Sequence, residues 1–552
     1  MDDTDALDGA EMEQAARTAT AAEAAARAAS TSRSAIARAG FIVTGLFLVS
    51  RILGYVRTVA IAASVPDVGD LGPFFAAFRI PDFLFQLVAA GALSSALIPV
   101  VASLFATDEE ARAWRVVSTV TTLMLSALVL LAGVVLLFTP GLVAFIAPGF
   151  DAAELAQTTE LTRIMVLSPM FLAAGSVATS VLNARGRFAA SGVAPLMYNL
   201  MIIVGALALV PVFGTAGLAY GVVLGAAGHI LVQVPSLWRI GAGIRPRLDL
   251  GDDQARLALL LMVPRAIGLG ATQLVFLVMT SLATTLGDEA LAVFNFAFPL
   301  LQIPIGVIGV PLGVVLLPSL SRVAATGATD EFQRLLVRGL SILAYVMIGI
   351  AALGIIVSED IVRLLFGFAH IGEDAIELTS LTLAVFLLGL TAHSLIAVLA
   401  RAFYALKDTR TPVIAALIAV VINIVVANAL VGMLGLQALA AAIAIAAWLE
   451  TIALVILLER RLPGLRLRHV WVVMAKSLVV SLAGAALAFG LHQVLLGAWG
   501  EDPGLVLLFV RTCVTVGLGG AVVLAGSLAL RISELRTIVD VVVDLLRRRG
   551  RA

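Results

Sequence analysis

The 552-residue sequence predicts an all-α polytopic membrane protein with about fourteen transmembrane helices. Three observations carry that prediction. The chain is 61% apolar and 13% charged, with a mean hydropathy of +1.08, whereas a soluble protein is about 25% charged. Apolar runs of spanning length, roughly 20 residues, follow one another from Ile36 onward. The connections between them alternate in charge. A soluble multidomain enzyme is excluded, because the chain lacks the polar residues to cover one.

The elements follow in order. Residues 1–35 are Ala-rich and polar, with Asp2, Asp3, Asp5, Asp8, Glu11 and Glu13. No basic segment leads into an apolar core there, so the stretch reads as a disordered tail and not as a signal peptide. Apolar runs then fall near 36–64, 72–104, 114–138, 160–183, 190–213 and 215–237. After a polar break from Arg245 to Asp253 come runs near 254–286, 290–320, 333–357, 378–404, 410–434, 436–458, 470–497 and 503–530. Ile532–Leu546 has apolar residues at helical spacing and is followed by Arg547, Arg548 and Arg549, a pattern suited to the membrane interface.

Net charge is zero, with 36 basic and 36 acidic residues, but its distribution is informative. Connections after even-numbered runs carry cations, such as Arg112 and Arg115, Arg185 and Arg187, Arg245 and Arg247, Lys407 and Arg410. Those after odd-numbered runs are acidic or uncharged, such as Asp67 and Asp70, Asp151 and Glu154, Asp288 and Glu289. Arg363 is the clearest exception. The positive-inside rule places the basic side and both termini in the cytoplasm.

The chain also repeats itself. Phe78-Arg79-Ile80-Pro81 followed by Ile98-Pro99 in the second run is echoed by Phe296-Ala297-Phe298-Pro299 followed by Leu317-Pro318 in the eighth. The offset of six runs is even, so the copies share one orientation. The expected organisation is two six-helix lobes, 36–240 and 254–461, related by a parallel pseudo-two-fold repeat. A linker, 241–253, joins them; helices 13 and 14 (462–530) and a basic amphipathic interfacial helix (531–552) follow. In such a repeat the substrate site lies between the halves.

Cations within hydrocarbon are costly and by default face a cavity or a partner. At 1.5 Å per residue, Arg51 lies ~20 Å from the outer end of the first run, and Arg265 ~16 Å into the seventh. Arg57 and Arg79 share a shallower depth. Four arginines without matching deep carboxylates predict a positive cavity for an anion, and phosphate or pyrophosphate suits guanidinium forks. Gln273, Asn295 and Gln302 either line that cavity or hold helices together. Glu450 lies closer to the cytoplasm and, with His229 and His393, reads as structural. The single Cys513 excludes an intrachain disulfide framework and a multi-Cys metal site. There is no GxxxxGK[ST], HExxH or nucleophile elbow. The expectation is therefore a transporter with no catalytic residues, metal or cofactor and no nucleic-acid partner, driven by the membrane potential or an ion gradient.

Ser50-Arg51-Ile52-Leu53-Gly54-Tyr55-Val56-Arg57 resembles the SRxLGxxR signature of the MurJ (MviN) lipid II flippase family. Further pieces come in family order: Phe74-Phe75-Ala76-Ala77-Phe78-Arg79-Ile80-Pro81, Gly91-Ala92-Leu93-Ser94, Pro304-Ile305-Gly306-Val307-Ile308-Gly309-Val310, and Phe403-Tyr404-Ala405-Leu406-Lys407-Asp408-Thr409-Arg410-Thr411-Pro412. The resemblance covers about residues 36–460. It implies the multidrug/oligosaccharidyl-lipid/polysaccharide exporter fold, with helices 13 and 14 shaping a lipid-tail groove. It further implies transport of the undecaprenyl-pyrophosphate-linked peptidoglycan precursor from the inner to the outer leaflet of the bacterial cytoplasmic membrane. Arg51, Arg57 and Arg79 would then hold the pyrophosphate, and cell-wall synthesis proteins are candidate partners.

The sequence departs from the family pattern at Gly72, Phe85, Ala90 and Pro299, where relatives carry charges. Loss of the eighth-run arginine at Pro299 suggests that Arg265, next to Pro264, takes over as the second-lobe ligand, with Gln273 and Gln302 as further contacts. The alternatives are a flippase for another polyprenyl-linked saccharide, a cation-coupled multidrug exporter on the same fold, and a scaffold without transport.

Overall fold

The computed structural model describes residues 45–540 except 47, 91, 370, 466 and 502, with the side chains at 89–96, 263–265, 267 and 368 also outside the description. The expected tail (1–35) and residues 541–552 lie outside it.

Every predicted run is matched by helix. The series is α1 (48–62), α2 (Gly72–Phe85, a π turn at Gln86–Ala90, then Ala92–Ala106), α3 (Glu110–Ile146), α4 (Ala152–Ala184), α5 (Phe188–Phe213) and α6 (Ala216–Arg239). It continues with α7 (Asp253–Thr284), α8 (Ala290–Ala325), α9 (Thr329–Ile356) and α10, which is Glu373–Leu387 plus Leu390–Ala405 bent by 43°. The last are α11 (Arg410–Leu434), α12 (Gln437–Arg461), α13 (Arg468–Trp499) and α14 (Leu505–Ala529). Among the described residues, eleven helices are long and apolar enough to cross a membrane, or twelve with α10 counted as one span. Two more, α1 and α7, occupy the first and seventh predicted positions. The protein is thus a multi-pass membrane protein.

Local chemistry sets the boundaries. Asp151 and Glu154 form a reciprocal capping box at the start of α4. Pro73 opens α2, where a missing N–H costs nothing. Both α2 and α8 contain interior prolines and a π turn, Gln86–Ala90 in one and Ile305–Gly309 in the other. The shared break is a structural echo of the sequence repeat, and π turns favour functional positions. Between α5 and α6 the backbones nearly touch: a Cβ on Gly205 would stand 2.6 Å from the Gly221 Cα. Only glycine permits that approach, and close backbone contact drives helix association in lipid.

The linker between α6 and α7 is fastened along α3. The backbone N–H groups of Arg245, Arg247 and Asp249 donate to the hydroxyls of Ser118, Thr122 and Thr119. Asp252 caps α7 and accepts from Arg112 at 3.0 Å. Burial opposes its charge, but the Arg112 guanidinium and the N–H groups of Gln254 and Ala255 outweigh that and hold its carboxyl below the usual range.

The charge alternation divides the molecule into a basic face and an acidic face. On the acidic face the lobes touch. A Cβ on Gly149, between α3 and α4, would stand 2.0 Å from the Thr284 carbonyl oxygen, and the Gly149 N–H donates to the Thr284 hydroxyl at 3.4 Å. Gly69 and Gly72 pack against Asp288 in the α7–α8 connection. Arg363, the exception in the alternation, is buried in a short helix (Ser358–Phe366) after α9. It donates to Glu359 and, through two nitrogens, to Glu373. Its cation is neutralised on the acidic face and carries no topological signal.

The same short helix anchors the last two spans. Arg511 of α14 is 1% exposed and grips Asp360 through Nη2 at 2.6 Å, while its Nη1 donates to the Gly500 carbonyl at 2.7 Å. Thr512 donates to the same carboxylate. Beyond α14, residues 533–540 are helical, with Ile532 and Leu535 buried and Glu534 paired with His469 of α13. The rest of the stretch expected as an interfacial helix lies outside the described residues.

Two outcomes are expected. Arg511→Ala strands the Asp360 carboxylate in the interior, a loss of about 3–5 kcal/mol, read as a lower melting temperature in detergent, with Asp360→Asn/Arg511→Met restoring part of it. Gly149→Leu drives a side chain into the Thr284 carbonyl and parts the lobes on the acidic face, read as increased thiol labelling of Gly69→Cys in a Cys513→Ser background.

Candidate functional site

The SRxLGxxR segment lies on α1. Arg51 and Arg57 are six residues apart, so at 100° per residue their side chains leave the helix about 120° apart. They therefore serve different neighbours. The Arg51 guanidinium reaches the second lobe: a Cβ on Gly306, inside the α8 π turn, would stand 3.5 Å from the Arg51 Cζ. Gln302 is half-buried one helical turn earlier, on the same face of α8. Arg57 turns inward toward its own lobe and couples electrostatically to Tyr198 of α5. The Arg57 Nε is buried and has no hydrogen-bond partner among the described residues.

Arg79 holds the most partners. From α2 it donates through Nε to the Thr280 hydroxyl of α7 at 2.9 Å and through Nη2 to the Asn295 carbonyl of α8 at 2.7 Å. Its guanidinium also sits 5.4 Å from the Phe276 ring centre, a cation–π distance. Asn295 is oriented for this by its own amide, which donates to the Leu291 carbonyl. Among the described residues, the hydrogen bonds of this first-lobe arginine thus end on second-lobe groups.

One turn deeper on α2 stands Asp82. Its Oδ2 accepts from Gln273 Nε2 of α7 at 2.7 Å, and it interacts electrostatically with Arg79 and Tyr198. This corrects the expectation of arginines without a matching deep carboxylate. Asp82 follows Arg79 by three residues and precedes Gln86 by four, so all three share a helical face. That spacing was the available signal. Opposite it, Gln273, Phe276 and Thr280 repeat at the same interval on α7. The two helices run antiparallel, and a polar seam of matched register crosses the lobe boundary.

The remaining candidates separate. Helix α7 runs through position 265, but the Arg265 side chain lies outside the described residues, as do those of Ala90 and Gly91. Gln273 and Asn295 bind helices together across the seam. Gly72 is buried under Asp288 and Phe150, where a longer side chain would displace the opposing lobe. Pro299 lies inside α8 and Phe85 is half-buried on α2. The absence of a side chain at Gly175 leaves room for the His229 ring, with 2.2 Å from a Gly175 Cβ to its Nδ1. Glu450 lines a cavity of about 300 Å³ among α7, α10, α11 and α12, beside Thr272 and Tyr404. No cluster of metal-ligating side chains occurs among the described residues.

Two first-lobe guanidiniums, Arg51 and Arg79, thus reach second-lobe groups, and the carboxylate of Asp82 stands one turn from Arg79. Such a set can bind a polyanion and link its binding to the relative position of the lobes.

Comparison with known proteins bears on the same region. The family profile described as "Lipid II flippase MurJ" matches residues 69–509. A probable lipid II flippase MurJ of Rhizobium tropici is 32% identical over 433 residues, covering 76% of this chain and 80% of its own. The lipid II flippase MurJ of Burkholderia cenocepacia is 29% identical over 436 residues, covering 77% and 84%. A solved structure of lipid II flippase MurJ in an inward closed conformation superposes with a TM-score of 0.73 at 20% identity, over 89% of this chain and 99% of that one. An inward-facing multidrug MATE family transporter superposes with a TM-score of 0.63 at 15% identity, over 75% and 95%, a likeness of fold alone. With the profile spanning most of its length, this chain belongs to the MurJ lipid II flippase family.

Proposed function

We propose that the protein is a flippase that carries lipid II, the undecaprenyl-pyrophosphate-linked peptidoglycan precursor, across the bacterial cytoplasmic membrane. The observation that carries this reading is that two first-lobe guanidiniums reach the second lobe, Arg51 at Gly306 and Arg79 at Asn295; Arg57 is the third guanidinium of the proposed site. A diphosphate offers several oxygens to planar guanidinium forks, which bind it with charge and geometry together. The protein forms and breaks no covalent bond; it is a transporter and not an enzyme.

In this reading the basic face is cytoplasmic, as the loop charges direct. Closure at Gly149 and Thr284 shuts the outer side, and lipid II enters from the cytoplasmic leaflet. Binding across both lobes favours their rocking, the outer contact parts, and the headgroup is delivered outward. Membrane potential or an ion gradient supplies the direction. Helices α13 and α14 hold the polyprenyl tail alongside. Arg265 of α7 serves as the second-lobe phosphate ligand in place of the charge absent at Pro299.

Complementation of a conditional lipid II flippase mutant tests the whole reading, and growth is expected. Arg51→Ala should abolish translocation at unchanged membrane level. Arg51→Lys should restore little, because an ammonium cannot present the guanidinium fork. Arg265→Ala should lower lipid II translocation at least tenfold in a vesicle assay; wild-type rates would remove it from the site.

A further inference from the structure

We propose that Asp82 is a positioning residue of the transport cycle, the counter-charge that keeps Arg79 and Gln273 on the lobe seam until a diphosphate takes its place. The inference rests on the reading of this region as a diphosphate site.

The geometry supports it from three sides. Asp82 is the acid interacting with Arg79, one turn away on the same helix. It also joins the lobes, since Gln273 donates to it at 2.7 Å from α7. Gln86 donates to its other oxygen at 3.4 Å, which orients the carboxylate along α2. Tyr198 of α5 couples electrostatically to Asp82 and to Arg57 alike.

A carboxylate in this position has two consequences. With no diphosphate bound, it offsets the cost of burying cations and holds Arg79 where Thr280 and Asn295 accept its hydrogen bonds. With a diphosphate on the arginines, the same carboxylate faces a like charge at short range in a low-dielectric site. The repulsion loosens Asp82 from Gln273, and that bond is one of those tying α2 to α7. Substrate loading therefore weakens the seam that closure depends on. After release of the substrate, the Gln273–Asp82 bond returns and the seam re-forms.

The experiment uses the full chain in a Cys513→Ser background with Gly69→Cys and Asp288→Cys, whose Cβ positions face each other across the closed contact. Disulfide formation reports closure, and inorganic pyrophosphate is the probe, its binding followed by calorimetry. In the parent, pyrophosphate should slow the cross-link several-fold. Gln273→Leu should slow it to a similar degree without pyrophosphate. Asp82→Asn retains a carbonyl for Gln273 but removes the charge; it should bind pyrophosphate about tenfold more tightly and lose the effect of pyrophosphate on cross-linking. Asp82→Glu should restore parental behaviour. Equal pyrophosphate affinity in the parent and Asp82→Asn overturns the proposal, as does cross-linking indifferent to Gln273→Leu. If the parent binds no pyrophosphate, the diphosphate reading falls and this inference with it. Gln273→Leu leaves Asp82 in place, so the closure arm survives if Asp82→Asn fails to fold.

Discussion

A guanidinium placed in hydrocarbon must be met by other groups, and the architecture around Arg79 follows from that demand. The residue is on the first lobe, yet among the described residues its hydrogen bonds end on the second. Thr280, Asn295 and the Phe276 ring supply what water would otherwise provide. Because α2 and α7 run antiparallel, the same interval of three and four residues on each helix brings Asp82 to Gln273 one turn deeper. The lobes are held together here by polar groups that can exchange partners, whereas an apolar interface would offer a migrating anion nothing to exchange.

The second lobe and the terminal pair are joined on a different principle. Arg511, Asp360, Thr512 and the Gly500 carbonyl form a closed set, with the arginine and the acid each 1% exposed. His492 Nδ1 of α13 stands 3.7 Å from the same carboxylate. Arg363, also in the short helix after α9, is likewise satisfied by Glu359 and Glu373. One end of the molecule thus uses buried charge to fix α14 in place, and the lobe boundary uses it where movement is required.

Much of this was legible in the sequence because membrane spans are written locally. Hydropathy located the helices, and the sign of the connections ordered them. Arg363 broke the pattern only because its partner, Glu373, is brought back by the fold. The deep arginines were found from depth alone. The spacing of Asp82 from Arg79 is visible in the sequence, but it does not single the acid out, because its decisive partner, Gln273, stands 191 positions later. The divergence of Arg51 and Arg57 follows from helix geometry, but the neighbours each would meet, Gly306 and Tyr198, depend on how α8 and α5 pack. The Gly149 contact with Thr284 had no local signature: a glycine between helices looks the same whether it faces lipid, water or another backbone.

The fastened linker has a mechanical meaning. A flexible tether between two lobes lets each move while the other stands still. Here the chain between α6 and α7 spends its backbone donors on the hydroxyls of α3, and Arg112 secures Asp252 at its end. The leash has almost no slack. The first turn of α7 consequently travels with α3, while its far end, at Thr280 and Thr284, meets the seam and the closed contact. Under the proposed rocking cycle, helix α7 would act as a lever pivoted on the first lobe, and rocking of the second would be taken up along its length.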